Sequence, residues 1–152
     1  LTTFNPYDHF GYLTNRIGRL LSRELGQTLK SEGYDFPTSC IGILADLWSK
    51  DGVQQKDLEI SLVKNKSTIN KMISYLIDEK LIVKKEDIKD KRVRYIHLTK
   101  KGKSLQNIVR KHHDRLNEKL LKKFTQEEIT FSKKLLQQCY LFLAENKEPL
   151  QN

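Results

Sequence analysis

The chain has 152 residues, a length that fits a single domain with a real hydrophobic core. Its 28 Lys and Arg against 19 Asp and Glu leave a net charge of +9. Two cysteines far apart in sequence exclude a disulfide scaffold, and no apolar run approaches the ~20 residues of a membrane helix, so a reducing cytoplasm is the expected compartment. The first residues carry no basic stretch followed by a cleavage pattern, so no signal peptide is expected.

A first helix is predicted over residues 8–30. Phe10, Leu13, Ile17, Leu20, Leu21 and Leu25 recur there at three- and four-residue steps, and Gly33 breaks the run. A second covers residues 38–50, with Ile41, Leu44, Leu47 and Trp48 inward and Asp51-Gly52 ending it. A short third helix covers 54–61, and Val63-Lys64 forms a turn. Asn65 then caps a fourth helix, in which Ile69, Met72, Ile73, Leu76 and Ile77 make the apolar face. The opposite face carries Ser67, Asn70, Lys71 and Ser74.

The period then changes. Residues 81–86 read as a strand, 87–91 as a charged turn and 92–98 as the returning strand. Thr99 caps a fifth helix reaching about residue 124, with Leu105, Ile108, His112, Leu116 and Leu120 along one side. Thr125-Gln-Glu-Glu128 is a capping box for a sixth helix, whose apolar face holds Phe131, Leu135, Cys139 and Phe142. The terminal helices carry more apolar face than one small domain can cover, which predicts packing against a second copy. A symmetric dimer would space two reading helices about one DNA turn (~34 Å) apart on a near-palindromic site.

The charge is uneven along this order. Residues 1–49 hold 4 basic and 5 acidic side chains, residues 50–103 hold 15 and 8, and residues 104–152 hold 9 and 6. The excess lies on the fourth helix and the hairpin, the footprint expected for a polyanion. A helix able to lie in a DNA groove beside a basic β-hairpin is a winged helix-turn-helix, so the expected fold is mainly α with a small β-hairpin wing.

Within that frame, Lys64, Lys66, Ser67, Thr68, Asn70 and Lys71 are the DNA-contact candidates of the reading helix and its turn. Asn70 can bond adenine bidentately, whereas Lys66 and Lys71 suit phosphates. On the hairpin the candidates are Lys89, Asp90, Lys91, Arg92 and Arg94. A guanidinium at Arg92 fits the narrow, negative minor groove of A·T-rich DNA. Asp90 cannot attract DNA, and its expected role is to orient Arg92 or Arg94. No metal or cofactor is expected. His112 and His113 point about 100° apart on a helix, and no His/Cys/Glu cluster has ligand spacing. His112 reads as a core histidine. No phosphate loop or nucleophile elbow appears, so no enzyme is expected.

The hairpin carries a resemblance. Asp90, Arg92, Leu98, Thr99 and Gly102 match Asp-x-Arg-(five residues)-Leu-Thr-x-x-Gly, and the chain resembles the MarR family of winged helix-turn-helix transcription regulators over nearly its whole length. Lys66-Ser67-Thr68-Ile69-Asn70-Lys71 resembles the opening of that family's reading helix, and Glu79-Lys80-Leu81-Ile82 its helix-to-strand junction. One departure is Val63, where the family often has Gly.

The resemblance implies one regulator domain over residues 1–152, with residues 1–36 and 104–152 forming a homodimer core and residues 37–103 the DNA-binding lobe. It implies the fourth helix in the major groove of double-stranded DNA and the wing in the minor groove. For many members it also implies a small aromatic or phenolic effector between core and lobe that weakens DNA binding. His9, Tyr12, Arg16, Tyr34 and Trp48 are the candidates for such a site, since an Arg among aromatic walls suits an aromatic carboxylate. The same residue types also simply fill a dimer core, which is the more ordinary reading of them. Two other readings stand beside this one. The chain could be a winged-helix protein-interaction module without DNA binding. It could also be a redox-sensing regulator acting through Cys40, whose place at a helix start favours a thiolate.

Overall fold

A computed structural model of the chain describes residues 5–88, 90 and 93–145. The elements are α1 (Phe10–Ser31), α2 (Ile41–Ser49), β1 (Val53–Gln54), α3 (Gln55–Leu62), α4 (Lys66–Asp78), β2 (Ile82–Glu86), β3 (Arg94–Leu98), α5 (Lys100–Leu121) and α6 (Gln126–Glu145). The architecture is the expected one, mainly helical with a small antiparallel wing.

The sheet has a strand that the sequence does not reveal. Its order is β1-β3-β2, with Val53 opposite Ile96 and Ile82 opposite Leu98. Two residues are too few to show alternation, and β1 is extended because β3 offers it a free edge. Other boundaries shift by a turn. Residues 6–8 form a separate 3-10 turn on Asn5, and residues 38–40 form another before α2. The returning strand is described from Arg94, since Val93 belongs to the loop, donating to Asp90 and accepting from Asp87.

Three helices end in the same way. In each, a residue with positive φ lets the next N–H reach back five residues, a Schellman ending. After α1 it is Gly33 (φ 83°), with Tyr34 N–H donating to the Leu29 carbonyl. After α4 it is Lys80 (φ 57°), with Leu81 donating to Leu76. After α3 it is Val63 (φ 51°, ψ 52°), with Lys64 donating to Glu59. The valine thus holds the turn that a glycine would make without strain, and a β-branched side chain is poorly suited to it.

The core gathers α2, α3 and α4 over the sheet and the start of α5. Ile43, Leu44, Leu47, Leu58, Ile69, Ile73, Leu76, Leu81, Ile96 and Leu105 are fully buried. The periodicity placed Ile77 in this face, but it is partly exposed, as are Ile41 and Trp48. The long terminal helices contribute little. In α1 only Leu25 and Leu29 are buried, while Phe10, Ile17, Leu20 and Leu21 lie open. In α6 Phe131, Leu135 and Phe142 are exposed although the Thr125–Glu128 capping box forms as expected.

One junction joins these parts. The Thr99 hydroxyl donates to the carbonyls of Lys80 (2.7 Å) and Leu81 (3.1 Å) and accepts the Gly102 N–H (3.0 Å). Trp48 Nε1 donates to the Gly102 carbonyl at 3.0 Å. A Cβ on Gly102 would stand 2.1 Å from the Leu81 carbonyl oxygen. Farther along α5, His112 is buried as expected, with Nδ1 2.9 Å from the Thr28 hydroxyl of α1. Burial, and then the neighbouring His113, lower its pKa.

Three outcomes are expected. Gly102→Ala should destabilise the fold by about 2–3 kcal/mol in urea unfolding, because backbone rather than a flexible side chain must give way. Val63→Gly should instead stabilise it by about 0.5–1 kcal/mol, the relief of strain exceeding the entropy that glycine loses. Because folding depresses the His112 pKa, its contribution to stability is intact above the ordinary histidine value and is lost as pH falls below it. Stability should therefore fall from about pH 7 towards 5, and the slope should flatten in His112→Gln.

Candidate nucleic-acid interface

The reading helix is set by its N-terminus. The Asn65 side chain accepts the Thr68 N–H at 2.9 Å, as its position before the apolar run predicted. With Ile69, Met72, Ile73 and Leu76 buried, the helix turns Lys66, Ser67, Asn70 and Lys71 to solvent. Thr68 and Lys64 are half-buried at its edge. Ser74 Oγ donates to the Asn70 backbone carbonyl, and the Asn70 side chain is exposed. These four side chains present two ammonium groups, an amide and a hydroxyl.

The wing lies on the same basic segment. Lys84 and Lys85 are exposed on β2, and Arg94 on β3 pairs with Glu86 at 3.2 Å. The Asp87 carboxylate accepts the Asp90 N–H at 3.0 Å, which fixes the hairpin loop. Of the residues expected at the tip, Lys89, Lys91 and Arg92 lie outside the described residues. Arg94 therefore has a carboxylate that the sequence reading did not assign to it. Glu86 stands directly opposite in the register, a pairing visible only once the strands are aligned.

Behind the reading helix, Lys101 Nζ donates to the Glu79 carbonyl at 2.8 Å and sits 4.9 Å above the Tyr34 ring. A cation at the C-terminal end of α4 favourably meets its dipole. Asp51 similarly ties the α2–β1 turn to the sheet, accepting the Leu98 N–H at 2.8 Å and lying 3.6 Å from Lys103 Nζ. Neither tie was foreseen, since both join residues distant in sequence.

The expected effector residues fall into two groups. Arg16 lies over the Tyr12 ring and donates to its hydroxyl, with His9 exposed nearby on the approach to α1. Tyr34 and Trp48 instead reach the first turn of α5. About 25 Å of helix separates the groups, so one copy of the chain does not bring them together. A cleft of about 330 Å³ does open between α1 and α5, lined by Glu24, Thr28, Ser31, His112, Arg115 and Lys119 among others. None of the five expected residues lines it.

Cys40 speaks against the redox alternative and has the character of a small buried hydrophobe. It is completely buried, with its thiol facing the Met72 carbonyl, and burial pushes its pKa up to about 11. It precedes α2 in a 3-10 turn, where the surrounding apolar core outweighs any favourable helix dipole. Among the described residues no group of three or more His, Cys, Asp or Glu could hold a metal ion, and no helix is long and apolar enough to cross a membrane.

No protein-family model matches the sequence, and no curated protein matches it either. Solved structures do. A MarR transcriptional regulator from Methanosarcina mazei Go1 is 27% identical, superposes with a TM-score of 0.75, and is matched over 88% of this chain and 96% of its own. MepR of S. aureus, solved as a complex with DNA, is 23% identical with a TM-score of 0.70 over 87% of this chain and 96% of its own. The PcaV transcriptional regulator from Streptomyces coelicolor, in complex with its natural ligand, is 18% identical with a TM-score of 0.70 over 92% and 97%. With a wing whose sequence fits the Asp-x-Arg…Leu-Thr-x-x-Gly pattern and a fold matched over most of the chain, the protein has the winged helix-turn-helix fold and is similar to MarR transcriptional regulators.

Proposed function

We propose that the chain is a sequence-specific transcription regulator, a repressor, that binds a near-palindromic operator as a homodimer in the cytoplasm. The observation that carries this reading is the exposed face of α4. Lys66, Ser67, Asn70 and Lys71 lie together on a capped helix beside a basic hairpin, on the segment holding most of the positive charge. In this reading residues 37–103 form the DNA-binding lobe. Asn70 takes a base edge, Ser67 and Thr68 adapt to neighbouring bases, and Lys64, Lys66 and Lys71 take phosphates. Lys89, Lys91, Arg92 and Arg94 serve the wing, with Arg92 in the minor groove and Asp90 orienting it.

Residues 1–36 and 104–152 make the dimer. The support is the open apolar face of α1 and α6, where Phe10, Ile17, Leu20 and Phe131 stand exposed among the described residues. A small aromatic or phenolic effector completes the proposal. The ligand seen in PcaV and the exposed Arg16–Tyr12 pair favour it, with residues from both copies needed to unite the two groups of candidates.

The test is binding to the duplex upstream of the protein's own gene against a scrambled duplex, across a salt series, with light scattering for the mass of the free protein. A dimer with selective, steeply salt-dependent binding is expected. Lys71→Ala should weaken binding evenly across sequences and flatten the log–log salt slope by about one unit. Arg92→Ala should weaken binding and relax any preference for A·T-rich flanks. If both variants bind as the parent does, the assignment of contacts is wrong. If the parent binds neither duplex at low salt, the protein-interaction module is the better reading.

A further inference from the structure

The large apolar side chain most open to solvent among the described residues is not on the terminal helices. It is Ile88, 99% exposed, in the loop of the wing. The loop does not need it. Asp87 and Asp90 supply the turn chemistry, through the Asp87 carboxylate and the two backbone bonds that Val93 makes. These bonds join Asp87, Asp90 and Val93 without the Ile88 side chain, which stands in solvent. An isoleucine there contributes nothing to the core.

Its neighbours indicate what it could contact. Lys84 and Lys85 stand exposed on β2, Arg94 on β3 pairs with Glu86, and by sequence residues 84–94 hold 6 basic against 3 acidic side chains. A polyanion is drawn to this hairpin by charge, and the partner that combines phosphate rails with apolar sugar walls is the DNA minor groove. Proteins that enter that groove commonly seat an Ile, Leu, Met or Phe in it beside their cations. One isoleucine offers too little apolar area to anchor a hairpin in a lipid surface.

We infer that Ile88 is a minor-groove contact of the wing, an apolar wedge that seats against the sugars of an A·T-rich flank. This rests on the DNA-binding reading above. The exocyclic amino group of guanine projects into the minor groove and would meet the wedge, so Ile88 adds a preference for A·T pairs independent of charge.

Apolar and cationic contacts differ in a measurable way, since an apolar contact releases no counterions. The experiment compares the parent, Ile88→Ser and Ile88→Met by fluorescence anisotropy on duplexes selected from a random library, across a salt series, with A·T or G·C flanks. Ile88→Ser should lose about tenfold in affinity at every salt concentration with an unchanged slope, and lose less on G·C flanks. Ile88→Met should bind within about twofold of the parent. Equal binding by Ile88→Ser, or a loss with a flattened slope, would overturn the inference, as would an Ile88-dependent affinity for phosphatidylserine vesicles without an effect on the duplex. Should the parent itself select no duplex, the DNA-binding reading fails and this contact with it.

Discussion

The close approach of α5 to the end of α4 is the constraint on which the other parts depend. Gly102 lies so near the Leu81 carbonyl that no side chain fits, and Thr99 fills the remaining polar needs of the joint. Leu81 follows the Schellman ending of the reading helix and leads directly into the first wing strand. Thr99 follows the last residue of the second wing strand and caps α5. Trp48 brings α2 to the same point through its indole N–H. Four elements therefore share one small contact.

This explains why the hairpin motif is so legible in a sequence. Leu98, Thr99 and Gly102 are fixed by geometry, since each occupies a place that few other residues could fill. Asn65 and the Thr125–Glu128 box were readable for a related reason, because capping is local chemistry between residues three apart. The α4 face was readable from its 3.6-residue period. What escaped was set by distance. The strand β1 has no pattern of its own, the Asp51–Leu98 and Lys101–Glu79 ties span long stretches of chain, and the Glu86–Arg94 pair emerges only from the register.

Two residues show how local rules yield to their surroundings. A helix-start cysteine suggests a reactive thiol, yet the packing around Cys40 raises its pKa because the charged form would be desolvated. A valine in a tight turn suggests a changed turn, yet Val63 adopts the glycine-like conformation. In both cases the core decides. The helices that flank Val63 are anchored by Leu58 and Ile69, which leaves the residue between them little choice of backbone.

The shared root of α4, the wing and α5 also limits how the molecule can respond. Two reading elements fixed to one pivot cannot be re-aimed separately. A tilt of α5 relative to α4 would have to open the Gly102–Leu81 contact, whereas a tilt of the whole assembly leaves it intact. The lobe is therefore built as a lever. In the proposed dimer, the quantity free to vary would be the span between the levers, while the shape each presents stays constant.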